Sequence, residues 1–253
     1  MKLILIVLLL FYDSSTQLFC QTQRIFTSNF NGWFTYNGDH KFSKKWGIHL
    51  EAQFRRNQIV VKPQQLLLRT GINYHLSNFA FVTAGYCFVN AYPYGEFASK
   101  CIFGENRIWE QLQLKNQFGK FENITRYRLE QRFVNSPVLI NSSYVAGDAI
   151  YSNRFRFLSR ISLPLKGTEI VDKSFYISAY DEVFIAFGKN VGYNLLDQNR
   201  AYISIGYKMP KLGRIEIGYL NQLIFKSDGI KVENNHTLQV GISSNINFYK
   251  TKS

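Results

Sequence analysis

Arginine recurs at strand-like spacing on two successive stretches: Arg126, Arg128 and Arg132 in residues 121–134 (FENITRYRLEQRFV), then Arg154, Arg156 and Arg160 in residues 151–163, with Arg200 further along. A guanidinium presents a planar fork of donors that matches carboxylates and phosphates. These seven residues are therefore the candidate ligands for a small anion. Glu122 and Glu130 share their phase, so the same residues also fit a structural network in which Arg and Glu pair across neighbouring strands and fill a narrow interior. A second constellation is His49 with Glu51, which share a face at spacing two and supply half of a hydrolase-type triad. No nucleophile motif accompanies them. His40, His49, His75 and His236 never fall two to a strand at ligand spacing, and no nucleotide-binding loop is present, so neither a metal nor a cofactor is expected.

The elements that position these residues are strands. In residues 121–134, Phe121, Asn123, Thr125, Tyr127, Leu129, Gln131 and Phe133 alternate with Glu122, Ile124, Arg126, Arg128, Glu130 and Arg132. A helix would smear both sets round its circumference, whereas a strand sends them to opposite faces. The pattern recurs in residues 46–55, 66–75, 79–90, 107–118, 151–163, 175–187, 200–207, 214–219 and 238–248, and less cleanly in 24–36. On this phase Arg55, Arg69, Arg107, Lys115 and Arg214 join the charged face with the seven arginines, opposed by Glu51, Glu122, Glu130, Glu182 and Glu216. Asn37-Gly38-Asp39 reads as the start of a turn, residues 91–106 and 135–148 as long loops, and Ser77-Asn78 and Gly119-Lys120 as tight turns. Glu110 and Asp181 fall on the apolar phase, which suggests a bulge or a position near the membrane edge at Glu110 and a local bulge at Asp181.

Across its 253 residues the chain is 46% hydrophobic and 16% aromatic with 5 Pro, a composition that favours β structure in one domain. Its formal charge of +13 is spread through alternating strands instead of being gathered on a helix or arm, so no nucleic-acid partner is expected. Met1-Lys2 followed by an apolar run to Phe11 and a polar stretch to Cys20 reads as a signal peptide over residues 1–20, with the mature domain at 21–253. The remaining Cys87 and Cys101 fit either a disulfide or two free thiols.

Eleven candidate strands of bilayer-crossing length, joined alternately by short turns and longer polar loops, point to a transmembrane antiparallel up-and-down β-barrel in the bacterial outer membrane. Single-chain bacterial barrels have even strand numbers, which sets the expectation at about 12, within a range of 10–12. The ordered set Tyr151-Ser-Asn-Arg-Phe-Arg-Phe, Tyr180-Asp-Glu-Val-Phe, Asp197-Gln-Asn-Arg200 and Glu216-Ile-Gly-Tyr-Leu-Asn-Gln222 resembles the bacterial family known as domain of unknown function 2490. That resemblance implies an outer-membrane barrel and brings no established activity and no catalytic residues. The expected partners are outer-membrane lipid, the barrel-assembly machinery and a small anionic ligand. Phe248-Tyr249 followed by Lys-Thr-Lys-Ser departs from the terminal aromatic residue common in outer-membrane proteins. The functional expectation is a structural barrel, or a narrow channel or binding barrel for small anionic solutes, with an outer-membrane lipid hydrolase as the alternative.

Overall fold

The computed structural model describes residues 23–249, so the signal peptide read at residues 1–20 lies outside the described residues. Eleven strands form one closed sheet: β1 Ile25–Lys41, β2 Trp46–Asn57, β3 Lys62–His75, β4 Ala80–Ala91, β5 Phe103–Phe118, β6 Phe121–Ile140, β7 Ser143–Pro164, β8 Phe175–Phe187, β9 Leu196–Met209, β10 Gly213–Phe225 and β11 Lys231–Ser244. Neighbours in sequence pair antiparallel all the way round, and the sheet closes where β1 runs parallel to β11, from Ile25 opposite Lys231 to Gly38 opposite Ser244. The expectation of ten to twelve strands in a closed barrel holds at eleven. An odd count puts the N-terminal end of β1 beside the β10–β11 loop, and parallel pairing is then the one way to close the wall. Opposite partners followed from Asp39 through His49, Gly71, Gly85, Trp109 and Glu130 climb steadily toward the other end of the barrel, so the strands are strongly tilted.

Both ends are built from turn chemistry. One end carries the connections after β2, β4, β6, β8 and β10; the other carries those after β1, β3, β5, β7 and β9. Residues 135–148 are not the loop that their polarity suggests. β6 and β7 continue past a register shift between Asn135 and Pro137 into a projecting hairpin, closed by Asn141 (φ 48°) and Ser142 (φ 63°). Two successive left-handed residues make the primed turn whose twist matches the flanking strands, and Pro137 sits at the irregularity because it has no N–H for the ladder. Asn37-Gly38-Asp39 likewise belongs to β1 and not to a turn. Tyr36 Oη and His40 Nε2 meet at 2.9 Å over Gly38, and a Cβ there would lie 2.3 Å from that nitrogen.

The alternation sorts every strand into an outward apolar and an inward polar face. Phe30, Phe54, Leu68, Ile108, Ile177, Ile203, Ile217 and Leu238 all point outward and are exposed. Aromatic residues crowd the two ends of this outer face: Trp46 against Tyr74 and Phe175 against Tyr207 near the short turns, Phe133 against Tyr151 near the long loops. Glu110 and Asp181 lie on the outer face without any register shift. Each is instead answered locally, Glu110 by the amide of Gln131 at 3.2 Å and Asp181 by that of Asn199 at 3.1 Å. Two apolar clusters stand in the interior, Leu67, Cys87, Val89 and Trp109 on one side and Trp33, Tyr202 and Leu220 on the other, with Tyr176, Phe184 and Val232 buried besides. Trp109 fits because glycines face it: Gly85 is its cross-strand partner, and a Cβ on Gly71 would stand 3.0 Å from the indole. Cys87 and Cys101 are free thiols, the first sealed in the wall and the second in the β4–β5 loop.

Candidate functional site

Register alone sends every expected cation inward: Arg55, Arg69, Arg107, Lys115, Arg126, Arg128, Arg132, Arg154, Arg156, Arg160, Arg200 and Arg214 all share the lumen face. What divides them is the supply of carboxylate at each level. At mid-height the carboxylates are saturated. Glu130, fully buried, accepts from Arg69 at 3.1 Å, Arg154 at 2.7 Å and Arg156 at 2.8 Å, with Arg107 at 3.8 Å. Glu182 holds Arg126 and Arg156 at 2.7 Å each, and Glu51 holds Arg69 at 2.5 Å. This chain of ion pairs runs from β2 through β3, β6 and β7 to β8, crossing the lumen. Charges this far from water persist only where each is paired and its remaining hydrogen-bonding positions are used.

Near the short turns a second, separate set forms. Arg214 grips Glu122 through two bonds of 2.6 and 3.0 Å with Lys115 beside it, and Arg160 shares Glu216 with the Tyr176 hydroxyl. Arg160 and Arg126 are therefore spoken for. Arg128 is not: its guanidinium bonds the Gln111 carboxamide at 2.6 and 3.0 Å, lies 4.7 Å from the Trp109 ring and leaves Nη1 without a partner.

Above the mid-height layer, toward the long loops, lies a cavity of about 310 Å³. Arg132, Arg154, Arg156 and Arg200 of the seven candidates line it, joined by Arg55, Arg69 and Arg107; Arg126, Arg128 and Arg160 do not. Arg132 and Arg107 are clasped by Glu105, at 2.5 and 2.7 Å, and Arg154 reaches Asp197 at 2.8 Å. Arg55 and Arg200 differ. Arg55 bonds carboxamides alone, Gln53 at 2.9 and 2.5 Å and Gln65 at 2.6 Å. Arg200 bonds Gln198 at 3.2 Å and stands off from Glu182 at 3.6 Å, with Nε unpartnered. Both lean on Trp33, their guanidinium carbons 3.9 and 5.1 Å from its ring. An aromatic face attracts a cation without neutralising it, so these two keep their charge available to the cavity.

The mouth is narrowed by the β4–β5 loop. Tyr94 donates to Glu233 at 2.9 Å, and Lys226 pairs with the same carboxylate at 2.5 Å. Burial, with Glu233 adjacent, pushes the Tyr94 phenol above its ordinary range. Glu105, Glu233, Asp197, Trp33 and Tyr94 all contribute to the cavity or its surroundings, and of these only Asp197 stands out in the sequence, within the motif Asp197-Gln-Asn-Arg200. Glu105 and Glu233 sit within stretches whose polarity reads as loop, although Glu105 lies two residues before Arg107, which is strand spacing.

His49 offers no hydrolase. Its Nδ1 meets Asp39 at 2.8 Å and its Nε2 faces Glu51 at 3.5 Å, so both ring nitrogens are engaged by carboxylates and neither is left to take a proton from a hydroxyl. The imidazole is a link in the lumenal network, edge-on to Trp109.

No curated protein and no solved structure matches the chain. One family model does, across residues 30–235, a span that takes in β2 to β10 whole, most of β1 and the start of β11, together with nearly every lumenal charge described above. The chain belongs to the family described as protein of unknown function (DUF2490).

Proposed function

We propose that this chain is a bacterial outer-membrane barrel whose lumen is closed at mid-height by ion pairs and whose loop-side cavity binds a small anion. The observation that carries the binding reading is the pair Arg55 and Arg200, guanidiniums facing a cavity while bonded mainly to neutral carboxamides. The membrane reading is supported by the outer face. Exposed Phe, Ile and Leu run round the whole wall, whereas soluble monomers tolerate apolar patches of roughly 300–600 Å². Its aromatic ends match the interfacial girdles of spanning barrels. Lipid surrounds this wall, and the barrel-assembly machinery inserts it.

The ion pairs crossing the lumen favour a binding barrel over an open channel. Fractionation of the host should recover the protein in the outer membrane with a gel mobility that shifts on boiling; a soluble protein with no shift would overturn the barrel's lipid-facing assignment. In planar bilayers the refolded barrel should pass little or no current. Large unselective conductance would sink the closed lumen, and an absence of calorimetric binding by any small anion would sink the ligand.

A further inference from the structure

The cavity holds two separate cationic stations, and their construction says what kind of anion fits. Arg55 stands on β2 and Arg200 on β9, so they approach Trp33 from opposite flanks of the β1–β11 seam. Two guanidiniums with unspent charge call for two negative charges between them. Each guanidinium is held by neutral carboxamides: the Gln53 and Gln65 oxygens accept from Arg55, the latter at 2.6 Å, and the Gln198 oxygen from Arg200 at 3.2 Å. With the oxygens committed, the amide nitrogens of Gln65 and Gln198 are the groups left to face a ligand, and these have no partner among the described residues. The guanidinium and amide N–H groups left at both stations are donors. Arg200 adds its buried, unpartnered Nε.

Donor groups at two stations suit an anionic group at each. A carboxylate fits one guanidinium with its adjacent amide, because two oxygens in a plane meet two parallel N–H directions. From this geometry we infer that the cavity is a site for a dicarboxylate, one carboxylate on Arg55 with Gln65 and the other on Arg200 with Gln198, joined by a short spacer. The inference rests on the anion-binding reading of the cavity and adds the number, separation and type of charges.

Calorimetry on the folded full-length barrel in detergent tests it with malonate, succinate, glutarate, acetate and sulfate as the probes. One dicarboxylate of the series is expected to bind at least tenfold tighter than acetate and sulfate. Arg55→Gln and Arg200→Gln should each bring that dicarboxylate down to the affinity of acetate, with the boiling-dependent gel shift serving as the check that both variants fold. Sulfate or acetate binding as tightly as every dicarboxylate overturns the two-station inference and leaves the anion pocket standing. No binding by any of the five overturns both. Should either variant fail to fold, the ligand series on the wild-type protein decides the matter alone.

Discussion

Arg156 and Arg55 carry the same guanidinium into the same lumen and have opposite parts there. Arg156 lies between Glu130 at 2.8 Å and Glu182 at 2.7 Å, and its charge is spent within the protein. Arg55 meets Gln53, Gln65 and the face of Trp33, and its charge is not. The difference comes from the neighbours and not from the residue: wherever a carboxylate falls opposite on the tilted register, arginine becomes structure. Where a carboxamide falls there, arginine remains able to bind. The basic lumen thus holds two kinds of arginine, those bonded to carboxylates and those bonded to carboxamides.

The comparison breaks most readily at Glu130. Glu130→Gln keeps the shape and removes the charge that four guanidiniums surround. Breaking one partner of a buried pair costs about 3–5 kcal/mol, and here several cations are left uncompensated together. The variant should lose the compact gel form at far lower urea than the wild type; an unchanged midpoint would mean that the mid-height layer does not hold the barrel.

Arg156→Gln and Arg55→Gln sharpen it as a pair. The first leaves Glu130 and Glu182 short of a shared cation and should destabilise by about 3 kcal/mol. The second removes hydrogen bonds to neutral partners and should stay within about 1 kcal/mol of wild type. Equal urea midpoints for the two would erase the distinction between the layers.

Much of this was legible before any coordinates. Strict alternation placed all twelve inward cations on the correct face, since a strand has a period of two and no freedom to do otherwise. What the sequence does not carry is who stands opposite whom. Arg126 finds Glu182 and Arg214 finds Glu122 across the barrel interior, pairings set by tilt and closure that leave no trace in local spacing. The parallel seam was hidden for a related reason, since either end of β1 could have met β11 until the strand count was fixed. Gly38 and Asn135 misled by type: both are turn residues by preference, but one gives space to the Tyr36–His40 pair and the other starts a bulged hairpin.

Arg128 tests the rule from a third position, buried like Arg156 yet bonded like Arg55, to a carboxamide and an indole. With no carboxylate to strand, Arg128→Met combined with Gln111→Leu replaces a desolvated charge by apolar volume beside Trp109. Such exchanges are often neutral or stabilising by about 1–4 kcal/mol. Thermal unfolding should show the double variant at least as stable as wild type, and a fall of about 3 kcal/mol or more would make Arg128 part of the paired layer after all.

The most local effect is expected at the mouth, where Tyr94 ties the β4–β5 loop to Glu233 by one hydrogen bond. Burial and the neighbouring carboxylate raise this phenol above the ordinary value of about 10, so the folded loop holds its proton where the freed loop would release it. The tie is therefore fully present below that ordinary value and is lost as pH rises toward the raised one. Its worth is that of a single bond to a charged acceptor, about 1.5–3 kcal/mol at most. Protease protection of residues 92–102 reads it directly. Wild type should lose protection at alkaline pH, while Tyr94→Phe should be less protected at neutral pH and show no such step. If both proteins lose protection at the same pH, the loop is held by something other than the phenol, and the cavity's mouth is fixed by the wall itself.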